Sequence, residues 1–220
     1  MFSVWRVPTR NYNQNCPIAR GLDVLGERWT LLILRELVGG PRRYGDLRAE
    51  LPGIATNLLA ERLKELQDAG LVDRADLPAP IGRTVYTLSD SAWQRVLPII
   101  QSVALFGLDR LDPIGEGPVS PLNGFLAGIL LGFNSADAVN VSGTYRVEID
   151  GRRFEFAVQH ARLSGPRGEP TVTITASAAD LVAVRLGATA AERATAMRRI
   201  KFDGPADAVD ALRAAFALRA

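Results

Sequence analysis

Residues 51–72 read LPGIATNLLAERLKELQDAGLV, and what this segment faces decides how the rest of the first half is read. At 100° per residue, Leu59, Leu63 and Leu66 fall on one narrow stripe, the side a helix buries against a neighbour. Gly70 supplies the stop, so the spacing predicts a helix from Thr56 to Ala69. The opposite side begins with Thr56, Asn57, Ala60 and Glu61 and continues to Lys64. Short side chains there let the backbone come close to another surface. Such a face is either merely solvated or built to lie against a partner.

The segments around it favour the partner. CPIARGLDVLGER (16–28) carries Ile18, Leu22 and Leu25 on a helical stripe. WTLLILRELVGG (29–40) is apolar on most sides, which predicts a central buried helix closed by Gly39 and Gly40. RYGDLRAEL (43–51) reads as a short helix ended by Pro52-Gly53. Downstream, LVDRAD (71–76) and RTVYTL (83–88) read as strands flanking LPAPIG (77–82), a tip too proline-rich to pair. From Ser89 a long helix runs to 111, with Pro98 predicting a kink or a break.

Helix, helix, turn, helix and a two-stranded ribbon is the order of a winged helix-turn-helix, and the physics of that module assigns roles. The three leucines dock on helix 29–40, which leaves Asn57, Ala60, Glu61 and Lys64 to face a major groove. Asn57 can pair with adenine through two hydrogen bonds, Ala60 can touch a thymine methyl and Glu61 can accept from cytosine. Lys64 suits phosphate or guanine, and the first turn of the helix is itself a phosphate site. Arg42 and Arg43 precede the module and Arg83 sits at the base of the ribbon, where positive charge meets the DNA backbone or a narrow minor groove.

Three runs of residues 15–89 go further. NCPIARGLDVLGERWTLLILREL (15–37), RYGDLRAELPGIATNLLAERLKELQDAGLV (43–72) and YTLS (86–89) resemble the HxlR-type transcriptional regulators, winged-helix relatives of MarR. The resemblance implies a homodimer, assembled through the N-terminal segment and the helix from 89 to 111, that binds double-stranded operator DNA. By position it puts base contacts on Thr56, Asn57, Ala60 and Glu61, wing contacts near Arg83, and Arg42 and Arg43 on the phosphates. Arg62 lies nearer the core side and reads as the partner of an acidic neighbour. Several regulators of this family sense oxidants through a cysteine at the start of the first helix, the place of Cys16 here. A helix N-terminus stabilises a thiolate, whereas a small buried hydrophobe is the plainer role for a lone cysteine.

The segment LDPIGEGPVSPLNG (111–124), with three prolines and three glycines, is the strongest linker signal in the chain. Beyond it the pattern changes. After a helix at 121–132, TYRVEID and RRFEFAVQ alternate around Asp150-Gly151, a strong two-residue hairpin signal. PTVTITAS (170–177) predicts a strand with Val172 and Ile174 inward, followed by two helices, a short strand RRIKFDG and a helix opened by Pro205. VEIDGRRFEFAVQ, AADLVAVRLG and IKFDG resemble the sterol-carrier-protein type 2 domain, although Pro205 departs from the acidic residue often found there. That fold implies helices over one face of an open sheet and a tunnel for an apolar small molecule. Candidate lining residues are Phe125, Leu126, Ile129, Leu130 and Phe133 on the first helix, with Phe154, Phe156, Leu181, Val184, Phe202 and Phe216. Any small core of this class would bury the same residues.

Composition bounds the alternatives. The chain of 220 residues has a hydrophobic content of 47% with 23% charged residues, enough for two small globular cores. Net charge is +2, so local placement rather than overall charge must carry any nucleic-acid argument. One cysteine excludes an internal disulfide and a multi-cysteine zinc site, and one histidine, His160, leaves little for catalysis. No phosphate-loop, HExxH or GxSxG pattern occurs, so neither an enzyme nor a cofactor or metal requirement is expected. The opening residues lack a signal-peptide core, and the most apolar window, 124–134, is too short to span a bilayer. A cytoplasmic protein without membrane attachment is expected. The fold class expected is α+β, with a winged helix-turn-helix over 1–112, a linker at 113–120 and a sterol-carrier-like domain with an antiparallel-rich sheet over 121–220.

Overall fold

The computed structural model describes residues 11–76, 83–110 and 119–218. The opening ten residues, the expected ribbon tip 77–82 and the expected linker up to residue 118 lie outside the described residues. The chain forms two compact units, Met1–Leu97 and Pro98–Ala220.

In the first unit, helices α1 (Pro17–Leu25), α2 (Thr30–Val38), α3 (Tyr44–Glu50) and α4 (Thr56–Asp68) precede strands β1 (Val72–Asp76) and β2 (Thr84–Leu88) and helix α5 (Asp90–Arg95). Helix α2 is the buried centre, with Ile33, Leu34, Leu37 and Val38 almost wholly enclosed, as a helix apolar on most sides predicts. Leu59, Leu63 and Leu66 of α4 are buried as well, each contributing about 1.5–3 kcal/mol relative to exposure. Helix α4 ends in a Schellman motif. Leu71 N–H donates to the Leu66 carbonyl and Gly70 N–H to the Gln67 carbonyl, both at 2.9 Å, with Gly70 at φ 66°. The Gly70 carbonyl then accepts from Ser89 and Ser91 hydroxyls at 2.7 and 3.0 Å, pinning the end of α4 to the start of α5.

Strands β1 and β2 pair antiparallel from Val72↔Leu88 to Asp76↔Thr84. A third, single-residue strand joins them that the sequence does not announce. Arg42 and Tyr86 exchange backbone hydrogen bonds of 2.9 and 2.7 Å, which fastens the ribbon to the segment between α2 and α3. Helix α1 departs from expectation in orientation. Its inward residues are Ala19 and Asp23, while Ile18 is 73% and Leu22 44% exposed. Asp23 turns inward because it accepts the backbone N–H of Tyr12 at 2.8 Å.

Pro98 breaks the expected long helix rather than kinking it, so α5 stops at Arg95 and α6 runs over Leu97–Gly107. Proline in the first turn of α6 has no intrahelical donor to lose. Helix α6 buries only Leu97, and Ile99, Val103, Leu105 and Phe106 are exposed.

The rest of the second unit is a five-stranded sheet with helices. Helix α7 (Pro121–Gly124) continues as a π-helical turn Phe125–Ile129 and a 3-10 turn Leu130–Gly132. The strands β3 (Gly143–Ile149), β4 (Arg152–Gln159), β5 (Arg162–Ser164), β6 (Pro170–Ala176) and β7 (Lys201–Asp203) are ordered β5-β4-β3-β6-β7. Only β3 and β6 run parallel. Helices α8 (Ala178–Leu186), α9 (Ala190–Arg199) and α10 (Ala206–Ala215) complete it. The Asp150-Gly151 turn has φ of 47° and 80°, the positive pair a two-residue hairpin demands. The Asp150 carboxylate also accepts from Ala178 N–H at 2.9 Å, which seats α8 on the hairpin.

Candidate nucleic-acid interface

The exposed side of α4 gathers the residues singled out for base contact. Thr56, Asn57, Ala60, Glu61 and Lys64 are all solvent-accessible and follow one another around a single face. No side chain caps the helix at Ala55, so its first-turn N–H groups are open to an anion. The Tyr44 hydroxyl donates to the Thr56 carbonyl at 2.5 Å, tying α3 to that first turn. Lys64 pairs with Asp68 at 3.1 Å in an exposed i,i+4 contact, weak enough to exchange for a phosphate.

Arg62 takes the inward place expected of it. Its side chain is only 7% exposed, with Nη2 3.0 Å from Glu27 Oε2 and Nη1 paired with Glu65. The arginines flanking the module separate into two kinds. Arg83 is exposed at the base of the ribbon, and Arg43 is half-buried at the start of α3 with its N–H on the Asp46 carboxylate. Arg42 is assigned to a phosphate by the sequence reading, but its side chain is 15% exposed and turned toward Glu36, Nη2 to Oε2 3.9 Å. The reason is burial of Glu36 on α2, whose desolvated carboxyl titrates above its usual range and draws in Arg35, at 2.7 Å, and Arg42.

Cys16 is the residue before α1, partly exposed, with Pro17 opening the helix. Backbone N–H groups of Ala19 and Ile18 hold its thiol below the ordinary range. Among the residues assigned to an apolar pocket, Phe125, Phe154, Phe156 and Phe216 are fully buried against one another. Phe125 stacks on Phe154 at 4.7 Å, and Phe156 lies 5.3 Å from Phe216 and 5.5 Å from Tyr145. Ile129, Leu130, Leu181 and Val184 are buried too, while Leu126, Phe133 and Phe202 remain partly accessible. Phe133 touches the cluster through Phe216 at 5.2 Å.

A stripe of glycines organises this unit. Gly124, Gly128 and Gly132 recur every four residues and let their segment lie directly on α8. A Cβ on Gly124 would come within 2.7 Å of Ala178 Cα, and one on Gly128 within 2.6 Å of Leu181 Cβ. One on Gly132 would collide with the Arg185 guanidinium and the Phe216 carbonyl. The four-residue recurrence was the available signal. Arg185 bonds the Phe216 carbonyl at 2.8 Å and the Gly128 carbonyl at 3.3 Å, and burial lowers its pKa.

Comparison with known proteins agrees with these two architectures. The model of the HxlR-like helix-turn-helix family matches residues 24–114, and that of the SCP-2 sterol transfer family matches residues 133–217. The HTH-type transcriptional regulator YvaP of Bacillus subtilis is 33% identical over 104 residues, covering 47% of this chain and 95% of the relative. The HTH-type transcriptional regulator YodB of the same organism is 37% identical over 95 residues, covering 42% of this chain and 85% of the relative. The solved reduced form of YodB aligns at 31% identity with a TM-score of 0.38, covering 47% of this chain and all of that one. With 95% of YvaP covered at 33% identity, this chain belongs to the HxlR-like helix-turn-helix family of DNA-binding transcriptional regulators, and its C-terminal part carries an SCP-2 domain.

Proposed function

We propose that the protein is a homodimeric, sequence-specific operator binder whose C-terminal unit takes up an apolar small molecule. The observation that carries the DNA half is the continuous exposed face of Thr56, Asn57, Ala60, Glu61 and Lys64 on a helix anchored by three buried leucines. Inserted in a major groove, each well-paired base contact is worth about 1–3 kcal/mol of discrimination. Dimerisation is supported by the apolar residues that α1 and α6 leave in solvent, since open apolar faces mark association sites. Two recognition helices related by a two-fold axis read a pseudo-palindrome. The SCP-2 match and the partly accessible Leu126, Phe202 and Phe133, the last against Phe216 of the ring cluster, support an apolar effector, which acts only through unequal affinity for two states.

Selection of preferred sites from a random duplex library tests the first half. Asn57→Ala with Glu61→Ala is expected to flatten the recovered motif while leaving non-specific binding intact. An unchanged motif in that double variant would falsify the contact assignment. Native mass spectrometry of the purified chain tests the second half, an apolar molecule bound to the C-terminal unit being the expected result.

A second reading has its own observations. Cys16 carries a thiol favoured toward the thiolate, and the aromatic cluster of the C-terminal unit is closely stacked. In that reading Cys16 senses oxidants and the C-terminal unit is a dimerisation or interaction platform. Loss of an oxidant response in Cys16→Ser, together with no co-purifying molecule, would select it.

A further inference from the structure

We propose that Arg62 and Glu27 together are a positioning device that sets the roll of α4, and through it the half-site spacing that the dimer selects. The inference rests on the reading of the protein as a dimeric operator binder. Its starting point is a difference in kind between the two forces holding α4. The leucine stripe decides which face of α4 turns inward, but hydrophobic contact is non-directional, so Leu59, Leu63 and Leu66 leave the finer rotation of the helix to polar contacts. A guanidinium is a flat fork with donors at fixed angles, and the Arg62 fork is occupied on two edges. One edge goes to Glu65 on its own helix, which orients the side chain. The other reaches Glu27 across 35 residues of sequence, at 3.0 Å.

Glu27 sits on a stiff support. It lies in the turn between α1 and α2, where Gly26 N–H donates to the Leu22 carbonyl at 2.8 Å and Thr30 N–H to the Glu27 carbonyl at 3.2 Å. Trp29 of the same turn is held at φ 79°, a conformation that large L side chains rarely adopt. Its ring also reaches the turn leading into α4, with Cη2 3.9 Å from where a Cβ on Gly53 would stand. The turn is thus continuous with α1, whose outward face carries the exposed Ile18 and Leu22, and is bonded to α4 through Arg62. Whatever fixes α1 against a second copy fixes the direction in which Asn57 and Glu61 point. Arg62 reads no base, because its guanidinium is buried in this contact.

The experiment uses the full chain and a panel of palindromic duplexes built on the selected operator, with the spacer between half-sites at its preferred length and one base pair longer and shorter. Glu27→Gln keeps the size of the side chain and removes its charge at a partly exposed site, so the fold is expected to persist, as judged by thermal melting and sedimentation. In this variant the preference for the best spacer falls about tenfold, the scale of one lost charge-assisted contact, while non-specific affinity is unchanged. Arg62→Lys, which keeps the charge but not the fork, moves the preference in the same direction. An equal loss on every duplex, or an unchanged spacer preference, overturns the proposal and leaves the pair a structural contact. Failure of the wild-type chain to select any operator would sink the functional reading itself, an outcome distinct from either.

Discussion

At the scale of single residues, the chemistry of a side chain and the place where it spends that chemistry part company. Arg42 and Arg62 are both arginines beside a DNA-facing module, and the stripe logic of α4 puts only Arg62 inward. Arg42 turns inward as well because Glu36 lies buried on α2 and draws in cations, a partner no local pattern around Arg42 reveals. Cys16 was legible in outline, since a residue before a helix predicts donors for a thiolate, and Ala19 and Ile18 supply them. The chain has one cysteine, so its reactivity can be read without background. The rate of alkylation against pH is expected to rise with a midpoint below that of a free cysteine thiol. The depressed folded-state pKa gives the sign of the linkage. Thiolate stabilisation is present above the unfolded-state pKa and is lost as pH falls through the folded-state value. A midpoint at or above the free-thiol value would remove the chemical ground for sensing by Cys16.

At the scale of elements, most boundaries followed from local rules, and the exceptions have identifiable causes. Asp150-Gly151 announced its hairpin because both residues tolerate positive φ. The next turn did not, since His160 and Ala161, at φ 50° and 56°, are not residues that advertise it. Strand β5 beyond it, with its pairing of Gln159 to Arg162, therefore has no local signal in the sequence. By local pattern the glycines at 124, 128 and 132 are ordinary linker and helix residues, yet their lack of side chains is what seats this segment on α8. Gly128→Ala is therefore expected to lower stability by about 1–3 kcal/mol in denaturant melts, because overpacking against Leu181 outweighs the better helix propensity of alanine. Gly45→Ala is the control. A Cβ there meets nothing within 4 Å, so a gain of about 0.4–1 kcal/mol is expected. A similar gain at both sites would show that backbone freedom, not packing, dominates.

At the scale of the whole molecule, the exposed apolar helices matter most. Phe106 on α6 is 68% exposed, with Ile99 and Val103 beside it on a groove that also includes Pro98 and Ser102. If the proposed dimer forms through this face, Phe106→Glu is expected to leave a monomer in sedimentation equilibrium. Operator affinity should fall by roughly a hundredfold or more, since two linked recognition helices gain avidity that one lacks. A stable dimer in that variant would locate the interface elsewhere. The sequence alone determined the helical periods, the hairpin at Asp150-Gly151, the stop at Gly70 and the family to which the first half belongs. All of these rest on short-range stereochemistry or on motifs contiguous in the chain. The tertiary structure alone decided that α1 turns Ile18 and Leu22 outward, that Pro98 divides the long helix, and that Glu27 reaches Arg62. Burial and ion pairing are settled by which distant segments compete for the same space, and no window of sequence contains both competitors.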